Sequence, residues 1–375
     1  MRYLEFALVS VLMIAIPALG AVCSASELMS GEVLESEATP QEKRLGERVA
    51  AQIEREMTIL VNPAYEARVG MIVNRLSPYM ERHLNYEVGI IDHVTVNAFS
   101  IAGGKMYVTT GMLDFVKTDL ELAGVIAHEM VHADRQHVLI QMARNSRMTL
   151  LAIMAAVAGR GHGAAVMAAN VLHVAVMGAY SVDIEKEADA YAIDALTKAG
   201  YNPVGMLTIQ ERLKEERLKR PEINPGIYRT HPDVEERIRA AERYLESNGI
   251  PVNRKHALGN LRPSIGEIDS DGFGLALMID GATVWRGAAN EATRAVFDRV
   301  ASELWQFLDL ETAPFDIRVE GDGISPGSAF FVKSRRIVTQ GEAPPGTEAL
   351  SALREGVMNA LSEARRSHPM ADYFR

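Results

Sequence analysis

Cysteine is almost missing from this sequence: Cys23 is the only one in 375 residues. A lone thiol excludes any internal disulfide. Positive charge is also scarce. Lys and Arg number 39 against 49 Asp and Glu, a formal net charge of −10. That balance argues against a nucleic-acid reader, because neutralising phosphates needs a basic patch. Internal apolar runs of the roughly 20 residues that a spanning helix requires are lacking too; MTLLAIMAAVA and AAVMAANVLHVAVMGAY both fall short. There is no internal repeat and no long low-complexity tract. What is present suffices for a sizeable core, since 48% of the residues are hydrophobic. The length suggests about two domains at 100–200 residues each.

The chain starts MRYLE, continues FALVSVLMIAIPALGAV, then CSASELMS. A charged start, an apolar run and small residues read as a secretory signal peptide, residues 1–25, with cleavage after Ala25. Export without disulfides fits a bacterial periplasm. A retained anchor is the alternative. Lipidation of Cys23 is disfavoured by Val22, where lipoprotein processing prefers a small residue.

Thr39, Pro40 and Glu42 spell a helix start, predicting a helix towards Met57, and a second is expected over about 64–83. YEVGIID, HVTVNAFS and KMYVTTG alternate as short strands, with Gly103-Gly104 as a tight turn. Thr118 to Glu121 forms another capping box, opening a long helix, LELAGVIAHEMVHADRQHVLIQMA. The apolar runs at 148–180 read as a helical hairpin, packed on the protein or touching a membrane surface. IEKEADAYAIDALTKAG closes at Gly200. Further helices are expected from Pro203 to about Lys219 and from Pro232 through DVEERIRAAERYLES. Beyond about residue 258, strands FGLALMI, ATVWRG, FDIRVEG, SAFFVKS and RRIVTQ alternate with two helices. GDGISPGS lacks the Lys and helix of a phosphate loop and reads as a turn.

The chemistry lies in VIAHEMVHADRQHV, residues 125–138. Each helical residue turns the side chain by about 100°, so His128 and His132 lie about 40° apart, one turn along. Two imidazoles on one face can hold one zinc ion. Glu129 is rotated aside and can address the metal's water, the logic of H-E-x-x-H. His137 is about 180° round the same wheel and cannot join on an unbroken helix; a structural or surface role is expected. A catalytic zinc needs a third protein ligand. Glu185, Glu187 and Asp189 crowd one downstream helix. Glu185 pairs with Asp189 on one face and Glu187 lies nearer Asp183; spacing alone does not choose, and a solvated acidic face is the bland alternative.

H-E-M-V-H followed by E-K-E-A-D resembles the HtpX-like zinc metalloproteases, metallopeptidase family 48. Asn97-Ala98-Phe99 with Gly103-Gly104 and Lys105 to Val108 resembles that family's NAF…GG strand segment. Thr230-His231-Pro232, with Glu236-Arg237 beyond, resembles its THP…ER segment. The resemblance covers roughly residues 40–250. It implies an α+β fold, with a mainly helical gluzincin-type metallopeptidase domain and small β-sheet over 26–258. A smaller α+β domain of open role follows over 259–375. It implies one catalytic Zn2+ held by His128, His132 and Glu185, with Asp189 behind the ligands and Glu129 as the catalytic base. Asn97, Ala98, Phe99, Gly103 and Gly104 would line a substrate strand. Two positions depart from the pattern. Ala102 replaces a usual proline, and Val182 replaces a usual arginine, which puts that arginine's charge pairing in doubt.

His231 is the candidate oxyanion donor; it could instead occupy the open zinc position and hold the enzyme idle, or be structural. Tyr228 and Arg229 are neighbouring candidates. The expected function is an exported zinc metalloendopeptidase acting on unfolded polypeptides, misfolded or unassembled envelope proteins above all. The competing reading is a zinc-stabilised chaperone or adaptor that binds without cutting. No nucleic-acid partner is expected, and oligomeric state is left open.

Overall fold

The computed structural model describes residues 37–141, 180–219, 227, 231, 234–270 and 272–367. The expected signal peptide, Cys23, nearly all of the 148–180 hairpin, Tyr228 and Arg229 lie outside the described residues. The described chain divides into two compact units. One takes the residues up to Met206 and those between 220 and 244; the other takes Leu207–Lys219 and the residues from Leu245 on.

The first unit opens with α1 (Pro40–Glu56), where Thr39 Oγ1 accepts from the Glu42 N–H at 3.1 Å, one of the four donors that a helix start leaves open. α2 (Pro63–Leu76) is capped by Asn62. It stops before the expected His83, because Pro78 offers no N–H to continue the ladder, and a 3-10 turn follows over Ser77–Tyr79. Three strands come next: β1 (Glu87–Ile91), β2 (Ala98–Ser100) and β3 (Lys105–Thr109). Their order is β1-β3-β2. β2 and β3 form the expected hairpin, Phe99 opposite Tyr107. Gly103 and Gly104 turn it with φ +88° and +99°, values that favour glycine. β1 pairs with β3 in parallel, a pairing that local sequence does not signal.

α3 (Thr110–Phe115) leads into α4 (Asp119–Asp134), capped by Thr118 Oγ1 on the Glu121 N–H. Every residue of α4 from Glu121 to Asp134 is buried, as in a helix enclosed on all faces. It packs on α2, β2 and α5 (Val182–Lys198). α6 (Val204–Lys219) starts so close that a Cβ on Gly205 would stand 2.4 Å from the Leu120 carbonyl oxygen. α7 (Val234–Ser247) ends the helical set.

The long helix expected to run past His137 ends at Asp134 instead. The Asp134 carboxylate accepts from the Arg82 N–H at 2.8 Å, the Glu81 N–H at 3.2 Å and the Tyr86 hydroxyl at 2.9 Å. Arg82 Nη1 also donates to the Ala133 carbonyl at 3.3 Å, which accepts from the Gln136 N–H at 3.2 Å as well. Gln136 then takes φ +56°, left-handed backbone that breaks the helical course.

The second unit continues with α8 (Arg254–Leu258), whose Arg254 donates to Glu211 at 2.7 Å. This ion pair ties Leu207–Lys219 to residues beyond 245. Two successive motifs follow, each an antiparallel three-stranded meander and a helix. The first is β4 (Pro263–Ser270), β5 (Phe273–Ile279), β6 (Ala282–Gly287) and α9 (Glu291–Phe307). The second is β7 (Ile317–Glu320), β8 (Ala329–Val332), β9 (Arg335–Thr339) and α10 (Leu350–Ser367). Trp285, Phe297 and Phe330 lie in its core. GDGISPGS is a loop, closed by the Asp322 carboxylate on Ser325 and Ser328. Among the described residues, no helix is long and apolar enough to cross a membrane.

Candidate metal centre

His128 and His132 project from adjacent turns of the buried α4, and Glu185 projects from the first turn of α5. All three are buried. His128 Nε2 and His132 Nε2 lie 3.0 Å apart, and Glu185 oxygens lie 3.4 Å from each. His231, the residue between Thr230 and Pro232, joins them. Its Nδ1 stands 3.2 Å from His128 Nε2 and 2.9 Å from Glu185 Oε1. One ligand atom from each of the four lies within 4.8 Å of all the others. Four ligands around an ion with bonds of about 2.0–2.1 Å stand about 3.3–3.4 Å apart, so the set matches a tetrahedral site.

The supporting shell is charged and buried. Asp189, one turn after Glu185 on α5, places Oδ1 2.9 Å from His128 Nδ1, the nitrogen away from the ligand set. Arg237, on α7, forks onto Asp189 at 2.7 and 2.8 Å and reaches Glu185 Oε2 with Nη1 at 2.6 Å. Burial alone would raise both carboxyls. Attraction outweighs it: His231 and Arg237 hold Glu185 well below its ordinary range, and Arg237 holds Asp189 at about 2. Burial pulls the His128 imidazole down, but Asp189 and Glu185 more than offset this and hold it up at about 9. Burial and the charge of His128 push His132 down.

Glu129 is buried beside the ligands and is not one of them. Its Oε1 makes no hydrogen bond, with His231 Nε2 3.4 Å away. A buried carboxylate oxygen without a donor is costly, and a reacting water would supply that donor. The donor set and this orphaned oxygen fit a hydrolytic metal centre.

The structure places His128, Glu129, His132, Glu185, Asp189 and His231 close together. Glu187 stands apart, half exposed and 3.3 Å from Arg135 Nε. Asn97, Ala98 and Phe99 lie on or beside β2, the sheet edge that packs on α4. Three contributors were missed. Arg237 was noted only within a motif, although a buried arginine facing two carboxylates has no local signal. Tyr180 stacks on His132 with centroids 4.2 Å apart. His137, expected to be structural or on the surface, is 1% exposed and touches His132.

Comparison with known sequences agrees with this geometry. Residues 63–245 match the profile of Peptidase family M48. The chain is 32% identical over 130 residues to mitochondrial metalloendopeptidase OMA1 of Arabidopsis thaliana, covering 35% of this chain and 26% of that protein. It is 26% identical over 213 residues to the beta-barrel assembly-enhancing protease of Escherichia coli O157:H7, covering 53% and 42%. Over 134 residues it is 31% identical to metalloprotease YcaL of Escherichia coli (strain K12), covering 35% and 51%. It therefore spans about a quarter to a half of the length of these relatives. The buried ligand set, Glu129 beside it and the match over 63–245 lead to one assignment: residues 63–245 of this chain carry a Peptidase family M48 domain.

Proposed function

We propose that this protein is an exported zinc-dependent endopeptidase acting on unfolded polypeptides, misfolded or unassembled envelope proteins above all. The observation that carries the reading is the convergence of four buried ligand atoms beside Glu129. His128, His132 and Glu185 would hold the zinc. A zinc ion held there would make a water acidic enough to lose a proton near neutral pH and would polarise the scissile carbonyl. Glu129 Oε1 takes the water's proton and hands it to the leaving amine. Asp189 Oδ1, 2.9 Å from His128 Nδ1, would set the tautomer of that ring. Residues 26–258 form the peptidase module in this proposal, and 259–375 an accessory domain.

Substrate would add as an extended strand along β2, where Gly103 and Gly104 keep the turn compact. Main-chain pairing of this kind reads shape more than sequence. The buried Asn97 Oδ1 makes no hydrogen bond, which supports a role in receiving substrate. Export is supported by the N-terminal pattern, and envelope substrates by the likeness to a beta-barrel assembly-enhancing protease of E. coli. The test is bound zinc per chain together with cleavage of unfolded casein, before and after chelation. Zinc-free protein that cuts casein equally well would sink the reading. Zinc-bound protein that holds casein without cutting it would favour the adaptor.

For His231, the geometry supports occupancy of the fourth position, since Nδ1 sits within the ligand set. The segment carrying it is anchored close to the substrate strand: the Ile227 N–H donates to the Val96 carbonyl at 3.2 Å, and the His231 N–H to the Ile227 carbonyl at 2.9 Å. On this reading His231 holds the enzyme idle until it leaves the fourth position. His231→Ala is expected to raise casein turnover; a fall in turnover with zinc retained would restore the oxyanion-donor role.

Metal binding should also depend on pH in a defined direction. With its metal-free value held at about 9, His128 carries at pH 7 a proton that zinc must displace. Affinity should therefore climb as pH rises towards 9 and level off above it. Binding heats at pH 7 should vary with the buffer's ionisation enthalpy. Heats that are the same in all buffers would refute the proton release.

A further inference from the structure

His137 is buried against the metal group and has no role in the proposed chemistry. The left-handed Gln136 turns the chain so that His137 packs on His132, with ring centroids 4.9 Å apart at 74°. The two Nδ1 atoms stand 2.9 Å apart. The far nitrogen, His137 Nε2, faces Glu187 Oε2 at 3.9 Å.

Two imidazole nitrogens at hydrogen-bond distance need one proton between them, since two lone pairs repel and two N–H groups clash. His132 Nε2 points into the ligand set. A neutral imidazole that ligates through Nε2 keeps its proton on Nδ1. His132 Nδ1 is then the donor and His137 Nδ1 the acceptor, which leaves the proton of His137 on Nε2, towards Glu187. His128 has Asp189 in the equivalent place. Tyr180, stacked on His132 at 18°, restrains the plane of the ring but makes no bond that selects a tautomer.

We infer that His137 is the positioning residue of the second histidine ligand: it accepts the Nδ1–H of His132 and so fixes the tautomer and orientation that present Nε2 to the metal. The inference rests on the reading of His132 as a ligand. One histidine ligand is held by a carboxylate and the other by a neutral imidazole.

The matched pair His137→Asn and His137→Leu tests it in the full chain. Asn places Oδ1 where the histidine carried Nδ1, keeping the acceptor; Leu has nearly the same shape and none. Zinc affinity, measured by chelator competition, should fall about 10–100-fold in His137→Leu, and His137→Asn should recover most of the loss. The visible spectrum of the cobalt-substituted protein should shift in His137→Leu and stay near wild type in His137→Asn. Wild-type affinity in His137→Leu overturns the role, and so does a folded His137→Asn that binds as weakly as His137→Leu. If the Leu variant does not fold, weak zinc binding by folded His137→Asn overturns it alone. His132→Ala is the control: if it binds zinc like wild type, the metal centre itself is misassigned, whereas its loss beside an unaffected His137→Leu refutes only His137.

Discussion

Glu129→Gln should leave zinc bound and lower casein turnover by about 10²–10⁴-fold, the range that a positioned general base contributes. The change is nearly isosteric and removes only the capacity to take a proton. Zinc should stay because Glu129 is outside the ligand set. Folding should survive because Oε1 makes no hydrogen bond in the wild type, so no partner is stranded. Paired zinc content and turnover of the two proteins check it. Turnover unchanged in Glu129→Gln would remove Glu129 from the chemistry. Loss of zinc would mean that the carboxylate supports the ligands instead. Equal inactivity of two zinc-loaded proteins would favour the adaptor.

The helix period carried much of this site. His128 and His132 fall on one face by arithmetic, and Glu129 falls beside them, because α4 is unbroken over that span. The same arithmetic put His137 on the far side of the wheel, because it assumes that the helix continues. α4 stops at Asp134 through bonds to Glu81, Arg82 and Tyr86, about fifty residues earlier in the chain, and no window around the histidines contains them. Glu185 could not be told from Glu187 by spacing; the family resemblance pointed to it, and the burial of Glu185 beside the histidines agrees. The β2–β3 hairpin was legible from Gly103-Gly104, whereas the parallel β1–β3 pairing is non-local and was not. In the second unit the alternating strands were readable one by one, but their organisation as two meander-and-helix motifs was not, since the two share no evident sequence pattern.

The Val182 departure left open how the acidic pair on α5 is neutralised. Arg237, from another helix, supplies a buried positive charge to both members. Arg237→Leu should therefore destabilise the metal-free protein by about 3–5 kcal/mol, the cost of breaking a buried pair from one side. The cost comes from Glu185 and Asp189 left charged in the interior. Arg237→Lys should recover only part of it, because one ammonium cannot reproduce the fork that meets Asp189 with two nitrogens and Glu185 with a third. Zinc bound at Glu185 supplies a second source of positive charge, so saturating metal should narrow the gap between wild type and Arg237→Leu. Acid should narrow it too, and the sign follows from Asp189. Its folded value is depressed to about 2 below the ordinary value of about 3.9. The stability it contributes is therefore full above the ordinary value and is lost as pH falls towards 2. Denaturant unfolding of the three proteins, metal-free and zinc-saturated, measures both effects. Equal stability of Arg237→Leu and wild type without metal would show that the buried charge cluster is not held together by Arg237.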